Sequence, residues 1–285
     1  MTTVGQREIR TQKRVIAFFR DALRYDYLGD WKDREGNAPI EGALLAEWLR
    51  RQGHGEKLIA RVLFELDKAA ALGGSKTLYD ANREFYGLLR YGVKVKLEVG
   101  EQTITVWLID WENPENNHFA IAEEVTVSGI HTKRPDLVLY VNGIALGVLE
   151  LKRSTVAVSE GIRQSLDSQK KEFIRPFYAT VQLVMAGNET EGLRYGGIET
   201  PEKYWLRWKE AEAHPDAGDN ALLRELGQLC GKERLLELVH DFIAFDAGIK
   251  KACRHNQYFG VRAAQERVRR REGGILWHTQ GSGKS

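Results

Sequence analysis

Apolar residues recur at helical spacing early in the chain and alternate from residue 92 onward, which predicts helices first and a sheet afterwards. Val15, Ile16, Phe18, Phe19, Ala22 and Leu23 line one side of a helix running from a capping Thr11 to about Leu28. The polar stretch 29–40, with Gly, Asn and Pro, predicts a loop. Further helices are expected at 40–52, 56–72 and 77–89, with Gly73-Gly74-Ser75 separating the last two. From Gly92 the period becomes two. Val93, Val95, Leu97 and Val99 alternate with Lys94, Lys96 and Glu98, and a turn at Gly100-Glu101 leads into a partner strand over 103–111. A strand at 119–127 follows. The stretch Arg134–Lys152 then reads as two apolar strands joined at Asn142-Gly143, a pair suited to a hairpin turn.

Beyond this hairpin the pattern predicts a helix from a capping Ser159 to Phe173, a buried strand at 177–186 and a partner at 193–198. Thr200-Pro201-Glu202 has the form of a helix start. In that helix Tyr204, Trp205 and Trp208 read as core, although aromatics interleaved with Lys203, Arg207 and Lys209 could also stack on DNA. Residues 211–220 are small and polar and read as a linker, dividing the chain into 1–210 and 221–285. Helices over 221–227 and 232–242 and a basic helix, Arg262–Arg271, fill the second part. Strands after a helical start, followed by another helix, give an α/β fold with a mixed sheet flanked by helices.

Composition narrows the class without naming a chemistry. The chain has 285 residues, 42% hydrophobic, enough for a real core. A net charge of +2 offers no global field for nucleic acid, so any attraction must be local. Cys230 and Cys253 form no CxxC and have no paired histidine, which predicts reduced, packed thiols. No signal peptide or membrane span is apparent, and the expectation is a soluble cytoplasmic protein.

The chemistry concentrates in the 134–152 hairpin. Asp136, Glu150 and Lys152 stand in an apolar setting, where an unpartnered charge is costly. Glu150 and Lys152 are two apart and share a strand face. Two carboxylates offer oxygen ligands for Mg²⁺, and an adjacent lysine can steady a hydroxide or a phosphate. Register supplies a condition. A two-residue turn at Asn142-Gly143 sets Asp136 opposite Leu149, on the wrong face for Glu150. An odd-length loop ending in a bulge, or a bend at Pro135-Asp136, would bring the carboxylates together.

The run Pro135-Asp136, then Glu150-Leu151-Lys152, resembles the PD-(D/E)xK nuclease site. With TQKRVIAFFRDALRYDYLG near the start and GNETEGLRYGGIETPEKYWLRW later, the chain resembles the nuclease domain of the R (motor and nuclease) subunit of type I restriction enzymes. The resemblance implies a restriction-endonuclease-like core with Asp136 and Glu150 as Mg²⁺ ligands and Lys152 positioning or deprotonating the attacking water and stabilising the charged transition state. It also implies a Gln-x-x-x-Tyr element on the next helix. Gln164 stands at the glutamine position, but Ser168 replaces the tyrosine. An upstream glutamate is often added in this family, with Glu41 the candidate and Glu47 and Glu84 its rivals; each also reads as a solvated helix residue.

The end of the chain carries a second motif. Gly281-Ser282-Gly283-Lys284-Ser285 after a short apolar run has the chemistry of a P-loop, where backbone N–H groups, a lysine and a serine hold phosphates and Mg²⁺. Gln257 falls where superfamily 2 helicases place an adenine-reading glutamine. The resemblance implies ATP-driven translocation in a longer protein, double-stranded DNA as substrate, and methyltransferase and specificity subunits as partners. The P-loop helix and the acid pair of an ATPase do not follow within these residues, so the chain is expected to be the N-terminal part of a translocase. The alternative is a degenerate nuclease fold acting only in assembly or DNA binding.

Overall fold

The computed structural model describes residues 3–98, 100 and 102–277. Helix α1 (Thr3–Ala17) runs into a π-helical turn at Phe18–Ala22, and Thr11 lies buried inside it rather than at its cap. Arg24, at φ 59°, turns the chain out, and Asp26–Asp30 becomes strand β1 rather than the tail of a helix. Then come α2 (Gly42–Arg51), α3 (Glu56–Ala70) and α4 (Leu78–Tyr91). The α4 N-terminus is fixed by a reciprocal pair, in which Asp80 N donates to the Thr77 hydroxyl and Thr77 N to the Asp80 carboxylate. The hairpin β2 (Val93–Val95) and β3 (Ile104–Val106) is shorter than the alternation suggested.

The main sheet is built from β1, β4 (Phe119–Glu123), β5 (Leu137–Val141), β6 (Ile144–Leu151), β7 (Leu183–Asn188) and β8 (Gly192–Gly196), in spatial order β1-β4-β5-β6-β7-β8. β1 runs parallel to β4 and β6 parallel to β7, while the other neighbours are antiparallel. The sheet is therefore mixed, as expected. Every residue of β5 and β6 is buried, because helices cover both faces of the sheet centre. Helix α5 (Val158–Ser168) makes the crossover from β6 to β7.

Several boundaries differ from expectation. Ala157, not Ser159, precedes α5, which stops at Ser168. Residues Arg175–Ala179 form a 3-10 turn, so β7 starts only at Leu183. No α-helix follows Thr200-Pro201. A short 3-10 turn, Glu202–Tyr204, returns the chain so that Leu206 pairs with Tyr195 at the sheet edge. Trp205 and Trp208 are buried, in keeping with the core reading, while Tyr204 is exposed.

The later segment comprises α6 (Ala221–Cys230), α7 (Lys232–Asp241), β9 (Ile243–Asp246), β10 (Ile249–Ala252) and α8 (His255–Arg269). It packs on the sheet: Leu193 N donates to Glu225 on α6 at 2.6 Å, and the Tyr25 hydroxyl donates to Cys230 O at 2.7 Å. The thiols are free; burial pushes that of Cys230 up to about 12. No helix among the described residues is long and apolar enough to cross a membrane.

Candidate active site

The hairpin meets the register condition by a different route from the one expected. Val141 pairs with Ile144, so the turn has two residues, Asn142 at φ 51° and Gly143 at φ 81°. Both left-handed residues are required by this tight turn. Buried Asn142 tolerates it because its amide donates to Leu108 O and Asn117 Oδ1 and accepts from His118 N. No odd-length loop is present. The extra residue lies inside β6, where Tyr140 pairs with Ala145 but Leu139 pairs with Gly147. Leu146 is the bulge. Its carbonyl is not orphaned, since Gln182 N donates to it at 2.8 Å.

Past the bulge Leu137 pairs with Leu149, which brings Asp136 level with Glu150 on one face. Leu151 N donates to Asp136 Oδ2 at 2.6 Å. Glu150 is 1% exposed. Its Oε2 accepts from Gln164 Nε2 at 2.6 Å, while Oε1 is buried without a hydrogen-bond partner. Burial pushes the Glu150 carboxyl well above the usual range, and the Asp136 charge adds to this, with Lys152 and Lys133 opposing. Lys152 is half-buried, with Nζ donating to Leu151 O at 3.1 Å. Gln164 reaches Glu150 because α5 lies close to the sheet at Gly161, where an added Cβ would come within 3.2 Å of Ala186.

Four expected residues thus assemble: Asp136, Glu150, Lys152 and Gln164. Ser168 does not contribute a group to the site, since its hydroxyl donates back to Gln164 O at 3.0 Å. The proposed extra glutamates are elsewhere. Glu41 lies at the opposite end of the hairpin, its backbone N bonded to Gly143 O and its carboxylate to Arg34. Glu47 pairs with Arg51, and Glu84 with Lys76 at 2.8 Å. Among the described residues no group of three or more His, Cys, Asp or Glu side chains is placed to hold a metal ion. What is present is an all-oxygen set, with two carboxylates, one oxygen lacking a donor, and the Leu151 carbonyl between Glu150 and Lys152. That chemistry suits a hard cation.

Tyr178 was not visible as a site residue in the sequence. Its hydroxyl is buried with no hydrogen bond of good geometry among the described residues, and burial together with the Glu150 charge raises its pKa. No local pattern marks it, because only the tertiary fold carries the 175–179 turn under α5.

At the other end of the chain, Gln257 accepts from Arg254 N at 2.8 Å and lines a cleft of about 880 Å³ with Tyr204 and Arg254. Gly281, Ser282, Gly283, Lys284 and Ser285 lie outside the described residues.

Comparison with known proteins gives two matched segments. The family "Type I restriction enzyme R protein N terminus" matches residues 5–203, and "SWI2/SNF2 ATPase" matches residues 256–285. The type I restriction enzyme HindI endonuclease subunit of Haemophilus influenzae is 30% identical over 92% of this chain and 27% of its own length. The putative MjaIXP endonuclease subunit of Methanocaldococcus jannaschii is 30% identical over 70% of this chain and 22% of its own. The SauCOLORF180P endonuclease subunit of Staphylococcus aureus is 22% identical over 81% and 25%. The chain spans about a quarter of the length of these relatives.

Proposed function

Because the chain belongs to the type I restriction enzyme R protein family through its N-terminal domain, we propose that the Asp136–Glu150–Lys152 site hydrolyses DNA phosphodiesters with Mg²⁺. The observation that carries this is the Leu146 bulge, which places two carboxylates level on one face and leaves Glu150 Oε1 buried without a donor. A buried acceptor with no partner is costly, and a cation would relieve both that cost and the carboxylate repulsion.

Asp136, Glu150 and the Leu151 carbonyl would hold the ion, which when bound supplies Lewis acidity and lowers the pKa of water. Gln164 keeps Glu150 in one rotamer by holding Oε2. Lys152 orients or deprotonates the attacking water and offsets the charge that grows on the phosphoryl oxygens. Residues 1–210 form the nuclease unit in this reading, and the chain passes through 211–220 toward a motor begun at 221–285. Gln257 and the Gly281–Ser285 loop would serve ATP there. Double-stranded DNA and the methyltransferase and specificity subunits would be the partners of the whole protein.

The test is nicking of supercoiled plasmid with Mg²⁺, with ATP and partner subunits present, by wild type and Lys152→Ala. Cleavage by wild type alone supports the proposal. Equal behaviour of the two proteins would favour an assembly or DNA-binding module, a reading kept open by Ser168, which stands at the tyrosine position and donates its hydroxyl to Gln164 O.

A further inference from the structure

We propose that Lys133 is a DNA-phosphate contact of this site, held in place by a clamp between residues 128–134 and the turn that follows α5. The proposal rests on the nuclease reading and adds a substrate contact to it. Lys133 lies three residues before Asp136 in the sequence and pairs with Val127 through two backbone hydrogen bonds of 2.9 and 3.2 Å, closing a tight loop. His131 N donates to Glu172 O at 2.9 Å, which ties the loop to the turn.

The fit between the two is close. A Cβ on Gly129 would meet Phe173 O at 2.5 Å, a backbone atom that cannot move aside cheaply. With the loop docked, Lys133 Nζ stands 4.1 Å from the centroid of the Phe173 ring. A ring face attracts an ammonium group without neutralising it, so the charge stays available to an anion. Lys133 makes no ion pair among the described residues, whereas neighbouring Arg134 and Lys170 are engaged by Glu124 and Asp167, each at 2.6 Å. A cation on the loop that leads into Asp136, oriented by packing on Phe173 and not spent in a salt bridge among the described residues, fits a phosphate of the bound strand.

The experiment measures binding of a blunt DNA duplex to the intact chain by fluorescence anisotropy, with Ca²⁺ in place of Mg²⁺, across a salt series. Lys133→Met keeps the stem on the ring and removes the charge. A lost phosphate contact reduces the slope of log K against log salt by about 0.9, so over a fourfold rise in salt wild type should lose about three- to fourfold more affinity than the variant. Lys133→Arg should restore the slope. Gly129→Ala, which changes no charge but displaces the loop, should reduce it. Lys94→Met, at the exposed position of β2, should leave it unchanged.

An unchanged slope in Lys133→Met, an equal drop in Lys94→Met, or no DNA binding by wild type would each overturn the proposal. Because cleavage is not the readout, failure here is distinct from failure of the nuclease reading, which the plasmid assay tests.

Discussion

Replacing Glu150 by glutamine should stabilise the protein while abolishing its proposed activity. The substitution keeps the shape, and the amide oxygen can still accept from Gln164 Nε2, as Glu150 Oε2 does at 2.6 Å. It removes a charge that is 1% exposed, lies beside Asp136 and has one oxygen without a donor. The folded carboxyl is raised above the ordinary value of about 4.3. Below that value both folded and unfolded forms are protonated and nothing is lost. As pH climbs past it, the unfolded chain releases its proton first, so stability falls by about 1.4 kcal/mol per pH unit until the folded carboxyl also ionises.

Glu150→Gln removes this slope and should recover about 1–3 kcal/mol at pH 8 in the absence of divalent cations. That is about 2–12 °C in Tm at about 2–4 °C per kcal/mol for a chain of this size class. The assay is thermal unfolding in EDTA at pH 5 and pH 8. The advantage of the variant should grow between the two, and added Mg²⁺ should close the gap by stabilising wild type only. A variant no more stable than wild type at pH 8, or a gap that does not widen with pH, would refute the reasoning.

Other perturbations report on separate parts of the account. Lys152→Ala should lower plasmid nicking by about 10²–10³ with little change in Tm, since one stabilising group for the transition state is lost. Gln164→Ala frees Glu150 Oε2 and should weaken the metal dependence of cleavage by about 10–100-fold, read as a shift in the Mg²⁺ midpoint. Gly143→Ala should cost about 1–3 kcal/mol in urea unfolding, because φ is 81° and the new Cβ would come within 2.8 Å of the Glu41 carbonyl. Lys250, 2% exposed and bonded only to the neutral oxygens of Asn82, Gln182 and Val181, has its pKa pushed well below normal by burial. The unfolded chain there holds more protons, so stability should rise as pH climbs from the folded pKa toward about 10.4. Urea unfolding of Lys250→Met should lack that rise.

How far each feature could be read from the sequence depended on whether its cause is local. The α4 cap at Thr77–Asp80, the Asn142-Gly143 turn and the strands on either side are set by neighbouring residues, and they lie where periodicity placed them. The acid-acid-lysine set was legible because charge in an apolar run is conspicuous. The bulge was deduced as a need, but its location was not. Leu146 is one more apolar residue in a fully buried strand, and only its bond to Gln182 N, just before β7, selects it. Tertiary pairing likewise turned Asp26–Asp30 into a strand beside β4 and drew Leu206 to the edge at Tyr195, against local helix signals. Glu41, the favoured third carboxylate, has a helix-start position that sequence could place. That this start packs on the turn, far from Asp136, follows from the fold alone.

The central claim is that Asp136 and Glu150 share one divalent cation. Electron paramagnetic resonance of Mn²⁺ titrated into the metal-free protein tests it most directly. Wild type should take up one tightly held Mn²⁺ that Mg²⁺ displaces, and Asp136→Asn and Glu150→Gln should each weaken that uptake by about tenfold or more. Folded wild type that takes up no Mn²⁺, or the two variants binding it as wild type does, would contradict the account.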